Sequence, residues 1–516
     1  MRSRLLLFAV FVAGLVTLGV ELSASRLLGN VFGTSNLVWA NIIGLILVYL
    51  TAGYFIGGRW ADSSPHASTF YALLSWASFA AGLVPLAARP VLRWAALAVE
   101  HLDAAVMLGS FAAVLVLFSV PVTLLGCVSP FAIRIALRDT GEAGRTSGRI
   151  YAISTLGSIL GTFLPVLWLI PAIGTARTFL ALCLPLMGIG FLGLWLHDRR
   201  RLLRLAWMPF LLLALAWVTL GGGIKSTPGQ IYEAESAYNY IQVVERDGVR
   251  SLMLNEGQGI HSVYAPGMRA TYGTWDYFLA APFWNEPPMG AVPVQRLGLV
   301  GLAAGTIAKQ YTAVFGPIPI DGWEIDPGIV EVGRTYFDMH EPNLNVIVAD
   351  GRWGLAHSDE VYDVIGVDAY RLPYIPWQLT TREFFDDVRR HLTPRGVLVI
   401  NVGRTPDDRR IVDAMSGTLQ SVFETVHVMD VPATFNSILF ASVEATERGY
   451  LEENYQTLAS GGGDPLLVDV LARTLASLQP TPASSTVFTD DWAPIEQLTN
   501  SVALRFMFSG DLNILR

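Results

Sequence analysis

RLGLVGLAAGT (296–306), IPIDGWEID (318–326), NVIVADG (345–351) and YDVIGVDAY (362–370) decide the fold of the C-terminal half. Each opens with a short apolar run suited to a buried strand, and helix-length segments separate them. The first runs through a small-residue turn into a helix. The next three carry Glu324, Asp350 and Asp368 at their tips. Strands alternating with helices predict an α/β, Rossmann-like, doubly wound parallel sheet, continued by VLVIN (397–401) and ILFASV (438–443). Ligands bind such sheets beyond the carboxyl ends of the strands, near the switch point, so three acids at successive strand ends converge on one crevice.

Immediately upstream, YNYIQVVERDG (238–248) and VRSLMLNEGQGIHSVY (249–264) alternate and break at Asp247-Gly248 as a hairpin does. Residues 271–283 read as a helix leading to the paired prolines 287–288, and KSTPG (225–229) is a short polar linker. Three parts follow: a membrane domain (1–224), a small β-rich subdomain with a helix (230–290) and a Rossmann-like domain (291–516).

The first part differs in kind from the rest. A bilayer core is crossed by about 20 apolar residues, and such runs occur at 5–22, 37–58, 69–88, 104–126, 150–173, 176–196 and 204–222. The piece VLRWAALAVE (91–100) is too brief to add an eighth. The first run continues through Glu21 without a small-residue cleavage site, so it reads as a retained helix rather than a signal peptide. Glu21 and Arg26, at its end, read as interfacial snorkelling or as a polar functional site in the membrane. Gly53/Gly57 and Gly157/Gly161 have the spacing that lets helices approach closely.

Residues 1–224 hold 15 Arg, no Lys and 7 acids, a balance of +8; the whole chain is −8, so the remainder carries −16. An acidic second half argues against a nucleic-acid partner, which requires a basic face. Cys127 and Cys183 lie far apart in apolar segments and build neither a disulfide framework nor a metal cluster. The arginines of 134–149 and 199–204, with Arg2 and Arg4, belong in the cytoplasm by the positive-inside rule. An odd number of spans then puts the C-terminal half outside, whereas a crevice that draws its ligand from metabolism favours the cytoplasmic face of the plasma membrane.

Gly301 and Gly305 frame a turn where backbone can approach a ligand. Glu324, about 20 residues on at the next strand end, suits a bidentate hold on ribose hydroxyls, or else a cap or a salt bridge. Asp326 before Pro327 reads as a helix N-cap. Asp350-Gly351 fits an acceptor for an exocyclic adenine amine or a simple turn, and Asp363 a cap at the start of its strand. Asp368 ends an apolar strand and opens the connection YRLPYIPWQLTT (370–381); there it could hold or deprotonate an attacking amine, or close an Asx turn.

Together these residues resemble the spermidine synthase family of polyamine aminopropyltransferases in its membrane-fused form, over roughly 230–445. The resemblance implies decarboxylated S-adenosylmethionine as co-substrate, an amine acceptor, no metal, and a dimer like that of soluble relatives. By position it makes Glu324 the ribose acid, Asp350 the adenine-side acid and Asp368 the catalytic acid. Tyr238 and Asn239 stand where a Tyr and an amide flank the cofactor, and LNEGQGIHS (254–262) contributes Gln258 and His261 toward the substrate, with Tyr370 beyond Asp368. TDDWAP (489–494) recurs near the end of membrane-fused relatives and reads as a capped turn.

Three positions depart from the family pattern. Ala304 replaces the glycine-loop Asp that holds the aminopropyl or methionine-derived end, Arg371 replaces a second acid that seats the diamine, and Thr274 stands where a Tyr lines the diamine site. Like charges about 4 Å apart at a surface-like dielectric repel by about 4 kcal/mol, so Arg371 disfavours a cationic polyamine. The leading expectation is a membrane-bound aminopropyltransferase. The alternatives are an S-adenosylmethionine-dependent methyltransferase on the same sheet and a transporter or sensor whose adenosyl domain no longer catalyses.

Overall fold

The computed structural model describes residues 2–32, 36–98, 105–137, 139–219, 227–255, 259–287, 294–370 and 374–508. Gln258 and Arg371, and part of the 225–229 linker, lie outside them. The chain divides into two compact units, 1–227 with 233–240 and 228–232 with 241–516.

The first unit is helical. Among the described residues, seven helices are long and apolar enough to cross a membrane: Arg4–Gly29, Val38–Ser63, Ala67–Ala88, Gly109–Ala136, Ala143–Ile173, Thr175–His197 and Arg199–Thr219. Small residues let these helices touch backbone to backbone. A Cβ on Gly157 would come 1.9 Å from the Phe11 carbonyl oxygen, and one on Gly161 would come 2.1 Å from that of Leu15. Gly53 faces the Thr123 carbonyl at 2.4 Å and Gly57 the Cys127 Cα at 2.6 Å in the same sense. Close packing of this kind supplies attraction where burial from water cannot. Arg26 donates from Nη2 to the Ser236 carbonyl at 3.2 Å.

After the helices the chain forms two sheets. Strands β1 (Gln230–Glu235), β2 (Tyr240–Arg246), β3 (Val249–Leu254) and β4 (Ile260–Tyr264) form a four-stranded sheet in that order. Asp247 and Gly248, both at positive φ (51° and 77°), make the two-residue turn between β2 and β3, as the Asp-Gly pair requires. β1 was not read from the sequence: QIYEAE is short and barely apolar.

The larger sheet contains β5 (Leu297–Val300), β6 (Ile320–Glu324), β7 (Leu344–Val348), β8 (Tyr362–Val367), β9 (Leu392–Gly403), β10 (Thr425–Asp430), β11 (Asn436–Ser442) and β12 (Leu478–Gln479). Their spatial order is β12-β10-β11-β9-β8-β5-β6-β7. β5 to β9 run parallel, and β10, β11 and β12 pair antiparallel. From β5 the chain moves to β6 and β7 on one side, then returns to place β8 on the other. The switch point therefore lies between β5 and β8. Apolar clusters cover both faces of the sheet, one around Phe278, Tyr311 and Phe440, the other around Trp323, Phe384 and Phe488. Residues 274–284, expected as an ordinary helix, form a long 3₁₀ run with every residue from Trp275 to Trp284 buried. Tertiary burial on all sides holds this otherwise weak geometry.

Candidate active site

At the switch point two strand ends lie unusually close. Gly301 has φ +88°, and a Cβ there would sit 2.6 Å from the Asp368 carbonyl oxygen and 2.8 Å from the Ala369 Cα. Glycine is what lets the turn after β5 run alongside the end of β8. Gly305 also has positive φ (+86°) and packs on Met339, where a Cβ would meet Cγ at 2.7 Å. It begins the helix Thr306–Phe315. Between the two glycines, Ala303 adopts φ +48° and turns its N–H toward Glu324.

Glu324 ends β6 and is buried. Its Oε2 accepts from the Ala303 N–H at 2.9 Å and its Oε1 from the Asp326 N–H at 3.0 Å. Burial pushes this carboxyl up to about 7, against the pull of those backbone donors. The Ile325 N–H also donates to this carboxylate, which as an ion offers about four acceptor sites. Ile325, which follows it, is 39% exposed and presents an apolar surface beside the acid. Asp326 caps the helix Pro327–Tyr336 by accepting from the Gly328 N–H, as its position before proline suggested.

Asp350 is half-buried beyond β7 and caps the short helix Gly351–Ala356, with Oδ1 accepting from the Trp353 N–H at 3.0 Å. The turn alternative for this residue is thus realised, and Oδ1 serves it. A Cβ on Gly351 would meet Val300 Cγ1 at 2.6 Å, so this glycine brings the helix against β5. Asp363 ties down the opposite end of the sheet, accepting from the N–H groups of Gln295 (2.6 Å) and Arg296 (3.2 Å).

Asp368 stands just past β8. Asn401, on β9, donates from Nδ2 to Oδ1 at 3.0 Å, and the Trp275 indole donates a second bond. Asn401 is itself oriented by Asn436, whose Nδ2 donates to Asn401 Oδ1 at 2.8 Å. Burial pushes the Asp368 carboxyl up to about 6, while the two donors hold it down. Tyr370 turns back over this network, donating from its hydroxyl to the Asn401 carbonyl at 3.1 Å. Trp275 and Asn401 escaped the sequence reading. Asn401 was visible as the last residue of VLVIN, one strand over from Asp368. Trp275 lies 93 positions away on a different element, and nothing local marks it.

Of the remaining sequence candidates, His261 lies on β4 with its Nε2 buried and without a protein partner, and burial pulls the imidazole down to about 4. Its neighbour Ser262 accepts from the Ala304 N–H at 3.0 Å, linking the small sheet to the glycine loop. Tyr238 and Asn239 belong to the helical unit, in a tight turn where both N–H groups donate to Ser236 Oγ (3.0 and 2.8 Å). Ala304 is fully buried in a cluster with Ile241, Leu252 and Phe337. Thr274 begins the 3₁₀ run that carries Trp275. Gly301, Gly305, Glu324, Asp350, Gly351, Asp368 and Tyr370 are therefore gathered at the carboxyl ends of β5 to β8.

A family described as "Spermine/spermidine synthase domain" matches residues 319–450. A probable polyamine aminopropyl transferase of Bifidobacterium longum is 35% identical over 283 residues, 52% of this chain and 61% of the relative. A polyamine aminopropyltransferase of Vibrio vulnificus is 28% identical over 251 residues, 45% of this chain and 78% of the relative. The chain thus spans less than two thirds of the first of these. A solved structure of a probable spermidine synthase from Corynebacterium glutamicum aligns at 22% identity with a TM-score of 0.37, covering 46% of this chain and 89% of that one. The C-terminal part of the chain thus carries a spermine/spermidine synthase domain.

Proposed function

We propose that the protein is a membrane-bound aminopropyltransferase that moves a propylamine group from decarboxylated S-adenosylmethionine to an amine. The observation that carries this reading is Asp368, a carboxyl raised to about 6, held by Asn401 and Trp275 at the switch point. The relatives named as polyamine aminopropyltransferases support it. The nucleoside half of the site fits as well: Glu324 retains acceptor capacity for a ribose hydroxyl beyond its backbone donors, and Ile325 offers an apolar face to a base.

In the reaction the amine nitrogen attacks the carbon next to the sulfonium. The C–N bond forms as the C–S bond breaks, the electron pair stays on sulfur, and methylthioadenosine leaves. Asp368, ionised above pH 6, accepts a hydrogen bond from the amine, holds it in line and takes the proton that the new ammonium releases. Asn401 and Trp275 fix the carboxylate so that its remaining acceptor positions face the incoming amine. On cofactor supply, we place the domain on the cytoplasmic face of the plasma membrane.

A second reading, methyl transfer from S-adenosylmethionine, is favoured by Ala304. Its side chain is packed among Ile241, Leu252 and Phe337, so the glycine loop provides no acid for an aminopropyl ammonium. Product analysis on the purified full-length protein, supplied with each nucleoside and a panel of amines, separates the two. Methylthioadenosine is expected. S-adenosylhomocysteine would replace the first reading by the second, and neither product would remove both.

A further inference from the structure

The sequence motif TDDWAP has no place in the chemistry above, and it lies outside residues 319–450. Asp490 within it forms a two-bond fork with Arg352: Nη1 to Oδ1 and Nη2 to Oδ2, both 2.8 Å. Arg352 is the second residue of the helix capped by Asp350, and its Nη1 also donates to the Gln378 carbonyl at 3.1 Å. Gln378 belongs to the connection that leaves β8 after Asp368. The Thr381 hydroxyl, at the end of that connection, donates to Asp490 Oδ1 at 2.7 Å.

Two further bonds tie the same segments together. The Arg382 N–H donates to the Phe488 carbonyl at 2.8 Å, and the Tyr374 hydroxyl donates to Asn500 Oδ1 at 2.8 Å from the helix Ile495–Phe508. Beneath them Ile375 and Leu379 of the connection share one apolar cluster with Phe488, Ile495 and Val502. The near end of the connection is held at the site by Tyr370 on Asn401, and the stretch Tyr374–Thr381 is held by residues 488–502.

We infer that residues 488–502 form a strap that positions the connection Tyr374–Thr381 against the adenine-side helix, with Asp490 and Asn500 as positioning residues for the amine substrate. The inference rests on the proposed reaction for its substrate, though not for its geometry. The Asp490 side chain is 41% exposed, and an open pair of this kind contributes little to global stability. What a forked pair supplies is orientation. Helix Gly351–Ala356 keeps its place without the strap, because Gly354 packs on Trp323 and Asp350 caps it. Loosening the strap therefore frees the connection that leaves Asp368 while Glu324 and Asp350 keep their own backbone bonds.

The test compares Asp490→Ala and Asn500→Leu with the parent full-length protein, by amide hydrogen exchange and by steady-state kinetics. Protection across 374–381 is expected to fall about tenfold while strand β9 keeps its own. The amine KM is expected to rise about tenfold, with kcat and nucleoside affinity within a factor of three. Unchanged exchange in both variants overturns the strap. So does loss of protection throughout β9, which would make these residues general supports of the fold. If exchange loosens as expected but the parent yields no methylthioadenosine with any amine, the proposed reaction fails and the strap stands as a structural device.

Discussion

At the residue scale, Asp368 and Glu324 are both carboxyls that burial has pushed up, to about 6 and about 7. Asp368→Asn keeps the shape and the Trp275 side of the network but removes the proton acceptor. A loss in kcat of about 10²–10⁴-fold is expected, with nucleoside affinity unchanged by calorimetry. In the parent, kcat/KM should rise with pH through about 6 as Asp368 ionises. For Glu324 as the proposed ribose acid the sign runs the same way, since ribose hydroxyls would donate to the ionised form. Nucleoside binding at pH 6.5 should therefore release a proton, read as a binding enthalpy that depends on the buffer's ionisation enthalpy. Both groups also couple to folding. Their folded values lie above their unfolded ones, so the folded chain holds protons that the unfolded chain has released. Their contribution to stability is fully present below about pH 4 and is lost as pH rises through about 6 and 7.

At the element scale, the 3₁₀ run Thr274–Trp284 delivers Trp275 to Asp368, and a buried charge holds that run in place. Asp276, with no exposed surface, accepts from the Thr271 and Tyr272 N–H groups at 2.9 Å each and from Gln310 Nε2 at 2.7 Å. Arg473 donates to it from Nη2 at 3.0 Å and lies over the rings of Tyr272 and Tyr277. Removing one partner of such a pair leaves a buried charge unmatched, which costs about 3–5 kcal/mol. Arg473→Met should thus lower stability by that order in denaturant titrations, and the lost anchoring of Trp275 should lower kcat as well. A change under about 1 kcal/mol would show that the Asp276 hydrogen bonds suffice without the cation. Strand and turn positions in this half were legible because apolar runs, Asp-Gly and glycine turns report local geometry. The 3₁₀ run was not, because a continuous apolar stretch looks the same in any buried helix.

At the scale of the whole molecule, the two halves make opposing demands on topology. If all seven helices long and apolar enough to cross a membrane do so from a cytoplasmic, arginine-bearing start, the chain ends on the far side, whereas the proposed reaction takes its nucleoside from the cytoplasm. Cys127 and Cys183 are both buried, so a single introduced thiol reports without interference. Ser460→Cys, at an exposed helix end, is expected to resist an impermeant maleimide in intact cells and to react after permeabilisation. Labelling of intact cells would place the domain outside, in accord with the charge rule, and would require another source of nucleoside.

The division between what could be read and what could not follows from range. Hydropathy, the −16 charge of the second half, the glycine turns and the acids at strand tips are local or periodic properties. They sufficed for the seven helices, the parallel sheet and the positions of Glu324, Asp350 and Asp368. Partners distant in the chain could not be read this way: Trp275 and Asn401 on Asp368, Arg473 on Asp276, Asp490 on Arg352. These pairings arise only when the sheet order brings separate segments side by side. The raised carboxyls depend on the same event, since desolvation is a property of the folded surroundings and not of the residue.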